Sequence, residues 1–252
     1  MPPAFATQET PVFVLAGGRG ERLAGLTAQP KPLVPLAGQP FALYLLLALG
    51  RQGFCRFTFL TGFRAERFAA ALAGLAAEVQ RRLGVQLELD CLAEEQPLGT
   101  GGALRRILPR IDSRALVING DSYCEADLRA LLRLQRERGD ALCLVAARIE
   151  DAADYGRLQL AAGGRIVGFQ EKGRPGPAWI NAGLYAVPRR FLATAIPPRP
   201  ASLEREILPA WVAREATWAL CTERYFCDIG TPARLAAAER EFPTARLLDS
   251  GA

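Results

Sequence analysis

The sequence has 252 residues, half of them hydrophobic and 23% charged, which is enough apolar material for a full core and too much for a disordered chain. It contains no histidine, so Ser-His-Asp and Cys-His nucleophile systems and His-ligated zinc are excluded. The formal net charge is +5 with the cations scattered, which favours a small anionic ligand over a nucleic-acid groove.

Strand and helix signals alternate along the first part of the chain. A short apolar run at 12–16 closes on Gly17-Gly18 and reads as a buried strand entering a loop. Residues 41–52 read as a helix, 56–61 as a strand, 65–83 as a helix and 85–92 as a strand. Helical spacing returns at 100–108, an apolar strand at 115–118 ends in Asn-Gly-Asp, an amphipathic helix is expected at 125–138 and a buried strand at 141–149. The second part is less regular. Strands are expected at 156–160, 165–170 and 179–187, a stiff proline loop at 196–200, and helices at 202–214 and 231–242. Strands alternating with helices of this length imply an α/β fold of Rossmann-like type, a mixed, mostly parallel sheet with helices on both faces. We read one domain over 1–252, with one half at about 11–122 and a second at about 123–245.

Cys55, Cys91, Cys124, Cys143, Cys221 and Cys227 form no C-x-x-C pair, and we expect buried free thiols in a reducing cytoplasm. The first eleven residues lack a basic segment followed by an apolar one, so no signal peptide is expected there. The longest apolar stretch, 41–49, is far short of the ~20 residues a membrane span needs. Of the 31 cationic residues only Lys31 and Lys172 are lysines, and Asn119 and Asn181 are the only asparagines. In a chain that uses Arg wherever a positive charge suffices, a lysine marks a place for a compact point charge.

Chemistry concentrates in a few stretches. Leu15-Ala16-Gly17-Gly18-Arg19-Gly20-Glu21-Arg22-Leu23 runs a strand into three glycines within four positions, which lets backbone N–H groups approach anionic oxygens. No Gly-Lys-Ser/Thr follows and the third glycine of a dinucleotide fingerprint is missing. Pro30-Lys31-Pro32-Leu33 brackets a lysine with two prolines and fixes its backbone. Arg22 and Lys31 on one loop can both reach the phosphates of a nucleotide over Gly17 to Gly20. Gly99, Gly101 and Gly102 leave room for a flat ring at a helix start, with Thr100 as its N-cap. Asp121 and Asp228 each follow an apolar strand, the edge where open α/β sheets bind ligands. Two carboxylates near phosphates, without histidine, make a magnesium composition.

Residues 15–40, LAGGRGERLAGLTAQPKPLVPLAGQP, resemble the signature of the sugar-phosphate nucleotidylyltransferases. The resemblance continues through Glu94-Glu95-Gln96-Pro97-Leu98-Gly99-Thr100, Asn119-Gly120-Asp121, Glu171-Lys172, Asn181-Ala182-Gly183 and Asp228-Ile229-Gly230-Thr231-Pro232. It implies an enzyme joining an NTP to a sugar 1-phosphate with loss of pyrophosphate. It implies that Leu15, Ala16, Gly17, Gly18, Gly20, Glu95, Gly99 and Thr100 hold the nucleotide, and that Arg22, Lys31 and Asp121 act at the reacting phosphates. By the same resemblance Asp121 and Asp228 hold Mg²⁺, while Gly156, Glu171, Lys172 and Asn181 hold the sugar phosphate. The usual proline after Glu-Lys is absent, Gly173-Arg174-Pro175 standing there instead. Within the family the chain looks most like the D-glycero-α-D-manno-heptose 1-phosphate guanylyltransferases, which implies GTP and a cytoplasmic enzyme without nucleic-acid or membrane partners. Mannose 1-phosphate guanylyltransferases and muramate or hexose 1-phosphate uridylyltransferases are the alternatives, and a non-catalytic nucleotide-sugar sensor is the alternative of another class.

Overall fold

In the computed structural model the described residues are 7–18, 20–23, 25, 27–170 and 172–248. In chain order the elements are β1 (Val12–Ala16), β2 (Pro35–Leu36), β3 (Gln39–Pro40), α1 (Phe41–Arg51), β4 (Arg56–Thr61), α2 (Ala65–Leu83) and β5 (Glu88–Ala93). They continue with α3 (Gly99–Arg105), β6 (Arg114–Asn119), β7 (Ser122–Cys124), α4 (Leu128–Glu137), β8 (Leu142–Ile149), β9 (Arg157–Leu160), β10 (Arg165–Gln170) and β11 (Ala178–Pro188). The last are α5 (Arg189–Thr194), α6 (Leu208–Val212), β12 (Thr217–Thr222), β13 (Phe226–Asp228), α7 (Pro232–Glu241) and α8 (Thr244–Leu248). The chain forms two compact units, each discontinuous in sequence. One takes the chain up to Pro97, Asn119–Tyr123, and everything from Cys227; the other takes Leu98–Ile118 and Cys124–Phe226.

The first unit is built on three parallel strands in the order β5-β4-β1, with Val12 beside Phe57 and Arg56 beside Glu88. Apolar β1 and β4 are buried because helices cover them; α1 is buried over nearly its whole length, and α2 buries the stripe Phe68, Leu75 and Val79. Phe59 and Phe68 meet with ring centroids 4.6 Å apart. From the C-terminal stretch, Phe242 inserts edge-on between Tyr44 and Tyr123 at 4.6 and 5.1 Å.

The second unit carries strands in the order β6-β11-β8-β12-β10-β9, so its pairings are mainly antiparallel, with β8 and β12 parallel. β8 is buried from Leu142 to Ala147. α4 lays Leu128, Leu131 and Leu132 on the core, and its buried Gln135 donates its amide N–H to the Ala186 carbonyl at 2.9 Å. Asp127 caps α4 by accepting from the Ala130 N–H at 2.9 Å, so the helix starts at Leu128 rather than at 125.

The mixed α/β architecture is the one expected, but the sheet is not mostly parallel, because the strands of the second unit pair mainly antiparallel; the other differences are local. The expected helix at 202–214 is broken. Ser202 caps a wide π-type turn (Leu203–Ile207), and α6 begins only at Leu208, because Pro209 has no N–H to give to a preceding turn. Not all the cysteines are buried as expected. Cys143 is, but Cys221 is exposed and the other four are intermediate; all six are free. Strand alternation turns half of such positions outward. Burial pushes the Cys143 thiol up to about 12. Among the described residues no helix is long and apolar enough to cross a membrane.

Candidate active site

In the first unit, β1 delivers Gly17 and Gly18 at its C-terminal end, and a 3-10 turn (Glu21–Leu23) follows, closed by the Leu23 N–H on the Gly20 carbonyl at 2.7 Å. Arg19 lies outside the described residues. Pro30 and Pro32 shape a second 3-10 turn (Lys31–Leu33) and keep the Lys31 backbone from wandering. Lys31 Nζ then donates to Asp121 Oδ2 at 2.8 Å across ninety residues of sequence. Their side chains are 17% and 30% exposed, so the contact is part-buried and less screened than a surface pair.

Asp121 is put there by Gly120. The Gly120 N–H donates to the Leu15 carbonyl at 2.9 Å. A Cβ at Gly120 would lie 2.8 Å from that oxygen and 3.0 Å from Pro32 Cγ, so only glycine brings the chain this close to the end of β1. The Ile229 N–H donates to the Asp121 carbonyl at 2.9 Å, which ties the segment holding Asp228 to the segment holding Asp121. Asp228 is buried, 7% exposed. Its Oδ1 accepts from the Gly230 N–H at 2.8 Å, and Arg234 Nη1 reaches Oδ1 at 3.0 Å and Oδ2 at 3.1 Å. Exposed Arg22 lies nearby, its Nη2 3.9 Å from where a Cβ of Gly230 would sit.

Beside Lys31 is a small cavity of about 120 Å³ whose walls include Gly20, Leu23, Gln29, Phe63 and Arg64. That is about the room of a phosphoryl group with a few waters and far below the several hundred Å³ a whole nucleotide occupies. Arg64 stacks over the exposed Phe63 ring, 4.9 Å to its centroid.

As to a metal, two carboxylates from backbone-bonded segments supply hard oxygen donors, which suit magnesium by type. No group of three or more acidic or cysteine side chains gathers among the described residues. An ion held by Asp121 and Asp228 would therefore draw its other ligands from phosphate and water.

The remaining candidates divide between the units. Glu95, in the first unit, is exposed after β5. In the second unit Gly99, Gly101 and Gly102 are held close to neighbouring chain on their Cβ side. A Cβ at Gly99 would lie 2.5 Å from the Ala201 carbonyl oxygen, one at Gly102 2.7 Å from Leu98 Cβ, and the Gly101 N–H donates to Ala201 O at 2.9 Å. Thr100 is not the N-cap. Leu98 holds that position, and the Thr100 hydroxyl accepts from the Leu203 N–H at 2.8 Å. Glycine-rich helix starts serve close backbone packing as readily as a ligand, and spacing alone does not separate the two.

Lys172 is exposed just past β10, and Glu171 lies outside the described residues. Gly173 has φ +102°, a conformation proline's ring forbids, which explains why no proline stands there. The loop is fixed instead by Arg157. Its Nη2 donates to the carbonyls of Arg174, of Pro175 at 2.6 Å and of Gly176 at 3.0 Å, while the Gly173 N–H donates to Ala153 O at 2.7 Å. Asn181 sits where the β11–β8 register shifts; it donates to Tyr185 Oη at 2.7 Å and accepts from the Gly183 N–H at 3.1 Å. Gly156 lies at the start of β9, where a Cβ would rest 3.7 Å from the Gln170 carbonyl oxygen.

Sequence reasoning passed over Arg64, Arg157 and Arg234. Arg234 left a signal: it is a cation in the first turn of α7, where the helix dipole disfavours positive charge, so a nearby acid was to be expected.

The nucleotidyl transferase family profile matches residues 12–244. The chain belongs to that family. The mannose-1-phosphate guanylyltransferase of Mycobacterium tuberculosis is 34% identical over 90% of this nucleotidyl transferase chain, which spans 63% of that protein's length. The D-glycero-alpha-D-manno-heptose 1-phosphate guanylyltransferase of Aneurinibacillus thermoaerophilus is 26% identical over 91% of the chain and 96% of its own length. Among solved structures, HddC from Yersinia pseudotuberculosis complexed with GMP-PN superposes with a TM-score of 0.78 at 31% identity, covering 92% of this chain and 99% of that one.

Proposed function

We propose that this nucleotidyl transferase moves a guanylyl group from GTP to a sugar 1-phosphate, releasing pyrophosphate. The observation that carries the proposal is the convergence, within one unit, of Lys31, Asp121 and Asp228 beside the end of β1, with Arg22 close by. The names of the relatives supply the guanylyl group and the sugar 1-phosphate. D-glycero-α-D-manno-heptose 1-phosphate is our first choice of acceptor, because the heptose relative matches this chain nearly end to end. Mannose 1-phosphate is the second, favoured by the higher identity of the mycobacterial enzyme. The reaction belongs in the cytoplasm, where free thiols persist.

The chemistry follows from charge. A phosphate monoester has a second pKa of about 6, so the attacking oxygen is already ionised at neutral pH and no side chain has to remove a proton. The barrier is chiefly repulsion between two polyanions and the cost of aligning them. In this reading the glycine loop from Gly17 to Gly20 holds the nucleotide through backbone N–H groups. Arg22 binds the departing pyrophosphate, and Lys31, passed from Asp121 to the substrate, neutralises charge at the α-phosphate. Lys172 holds the acceptor's phosphate, with Asn181 and Gly156 near the sugar. Asp121 and Asp228 would hold magnesium, which when bound offsets negative charge on the phosphates.

The test is a matrix of Mg²⁺, each NTP and a panel of sugar 1-phosphates, read by pyrophosphate release. GTP with heptose 1-phosphate should give the highest kcat/KM. A preference for mannose 1-phosphate would select the second acceptor. No release from any pair would favour a sensor over an enzyme.

A further inference from the structure

The Asp228–Arg234 pair conflicts with Asp228 as a simple metal ligand. One nitrogen, Arg234 Nη1, stands 3.0 and 3.1 Å from the two carboxylate oxygens. Near-equal distances put it on the open side of the carboxylate, between Oδ1 and Oδ2, where a cation held by both oxygens would also sit. Oδ1 is further engaged by the Gly230 N–H at 2.8 Å. The pair is well sheltered, with side-chain exposures of 8% for Asp228 and 18% for Arg234, so it is less screened than a surface ion pair. It is also held against the dipole of its own helix, since Arg234 follows the cap residue Thr231 by three positions in α7.

We propose that Arg234 is a resident counter-ion that a divalent cation must displace from Asp228. Free metal then meets an occupied carboxylate, and metal arriving on a nucleotide prevails because the phosphates bring ligands of their own. The proposal rests on the reading of Asp228 as a metal-holding residue in a nucleotidyl transferase, and it adds a cation that the glycine-loop and lysine motifs do not contain. Arg234 acts here through Asp228 and is a positioning residue.

Mn²⁺ binding followed by electron paramagnetic resonance, in the absence of nucleotide, tests it without turnover. Arg234→Gln should bind Mn²⁺ about tenfold more tightly than the wild type, the effect of removing one competing ion pair. The double variant with Asp228→Asn should lose the gain. Arg234→Lys, which keeps a positive charge on a different side chain, should gain less than Arg234→Gln. It also covers the case in which the glutamine variant does not fold. Mn²⁺ should raise the melting temperature of the two single Arg234 variants more than that of the wild type. Unchanged or weaker Mn²⁺ binding in both Arg234 variants overturns the proposal, as does a gain that survives the loss of the Asp228 carboxylate. Absence of pyrophosphate release together with the Mn²⁺ gain would instead overturn the catalytic reading and leave this one standing.

Discussion

At the scale of single residues, Lys31 and Gly120 are the most exacting positions. Lys31→Ala removes the ammonium that the proposed function puts at the reacting phosphate, and it removes the ion pair with Asp121. Turnover should drop by about two to three orders of magnitude while circular dichroism stays native; near-normal turnover would remove Lys31 from the reacting centre. Gly120→Ala should act on stability, because its Cβ would press on the Leu15 carbonyl and Pro32. The expected cost is about 1–3 kcal/mol by urea denaturation, with activity falling as Asp121 is displaced. Lys31 and Asp121 were legible in the sequence, since rarity and proline bracketing marked Lys31 and the strand-ending Asn-Gly-Asp marked Asp121. Their mutual contact was not, because a pairing ninety residues long leaves no local pattern. The packing of Thr100 and Gly101 against the 201–203 segment was likewise hidden, because it joins residues a hundred positions apart.

At the scale of elements, hydrophobic periodicity located the long helices and central strands well. Strand 56–61 and helix 65–83 have the bounds read from sequence. It failed where elements are short or polar. β7 and β13 have three residues each, too few to show a period, and β12, TWALCT, alternates too weakly to stand out. On α2, Arg81 and Arg82 hold Glu78 at 2.6 Å each and lower its pKa from 4.5 to about 2, the Arg81 hydrogen bond contributing most. A depressed carboxylate stabilises the fold above its unfolded pKa and loses that contribution as pH falls from 4.5 toward 2. Glu78→Gln should therefore flatten the acid limb of the stability curve over that window. The loss near neutrality should stay below ~1 kcal/mol, because the cluster lies at the surface with Arg81 exposed. A steep acid limb kept in the variant would show that other carboxylates govern it.

At the scale of the whole molecule, the absence of histidine has a measurable consequence. With no imidazole to titrate near neutrality, the fall of kcat/KM on the acid side should follow the acceptor phosphate, with an apparent pKa near ~6. Replacing the sugar phosphate by an analogue of lower second pKa should move that limb down by the same amount, and an unmoved limb would point to a titrating group on the protein. Neither of the two units is a continuous stretch of chain. That discontinuity has an effect during synthesis. The first unit receives Asp228, α7 and Phe242 only from residue 227 onward, so a ribosome releases the last pieces of it after the other unit has been made in full. Until then Tyr44 and Tyr123 lack the aromatic ring that fits between them, and the nascent protein shows an open apolar seam to chaperones for as long as translation pauses there.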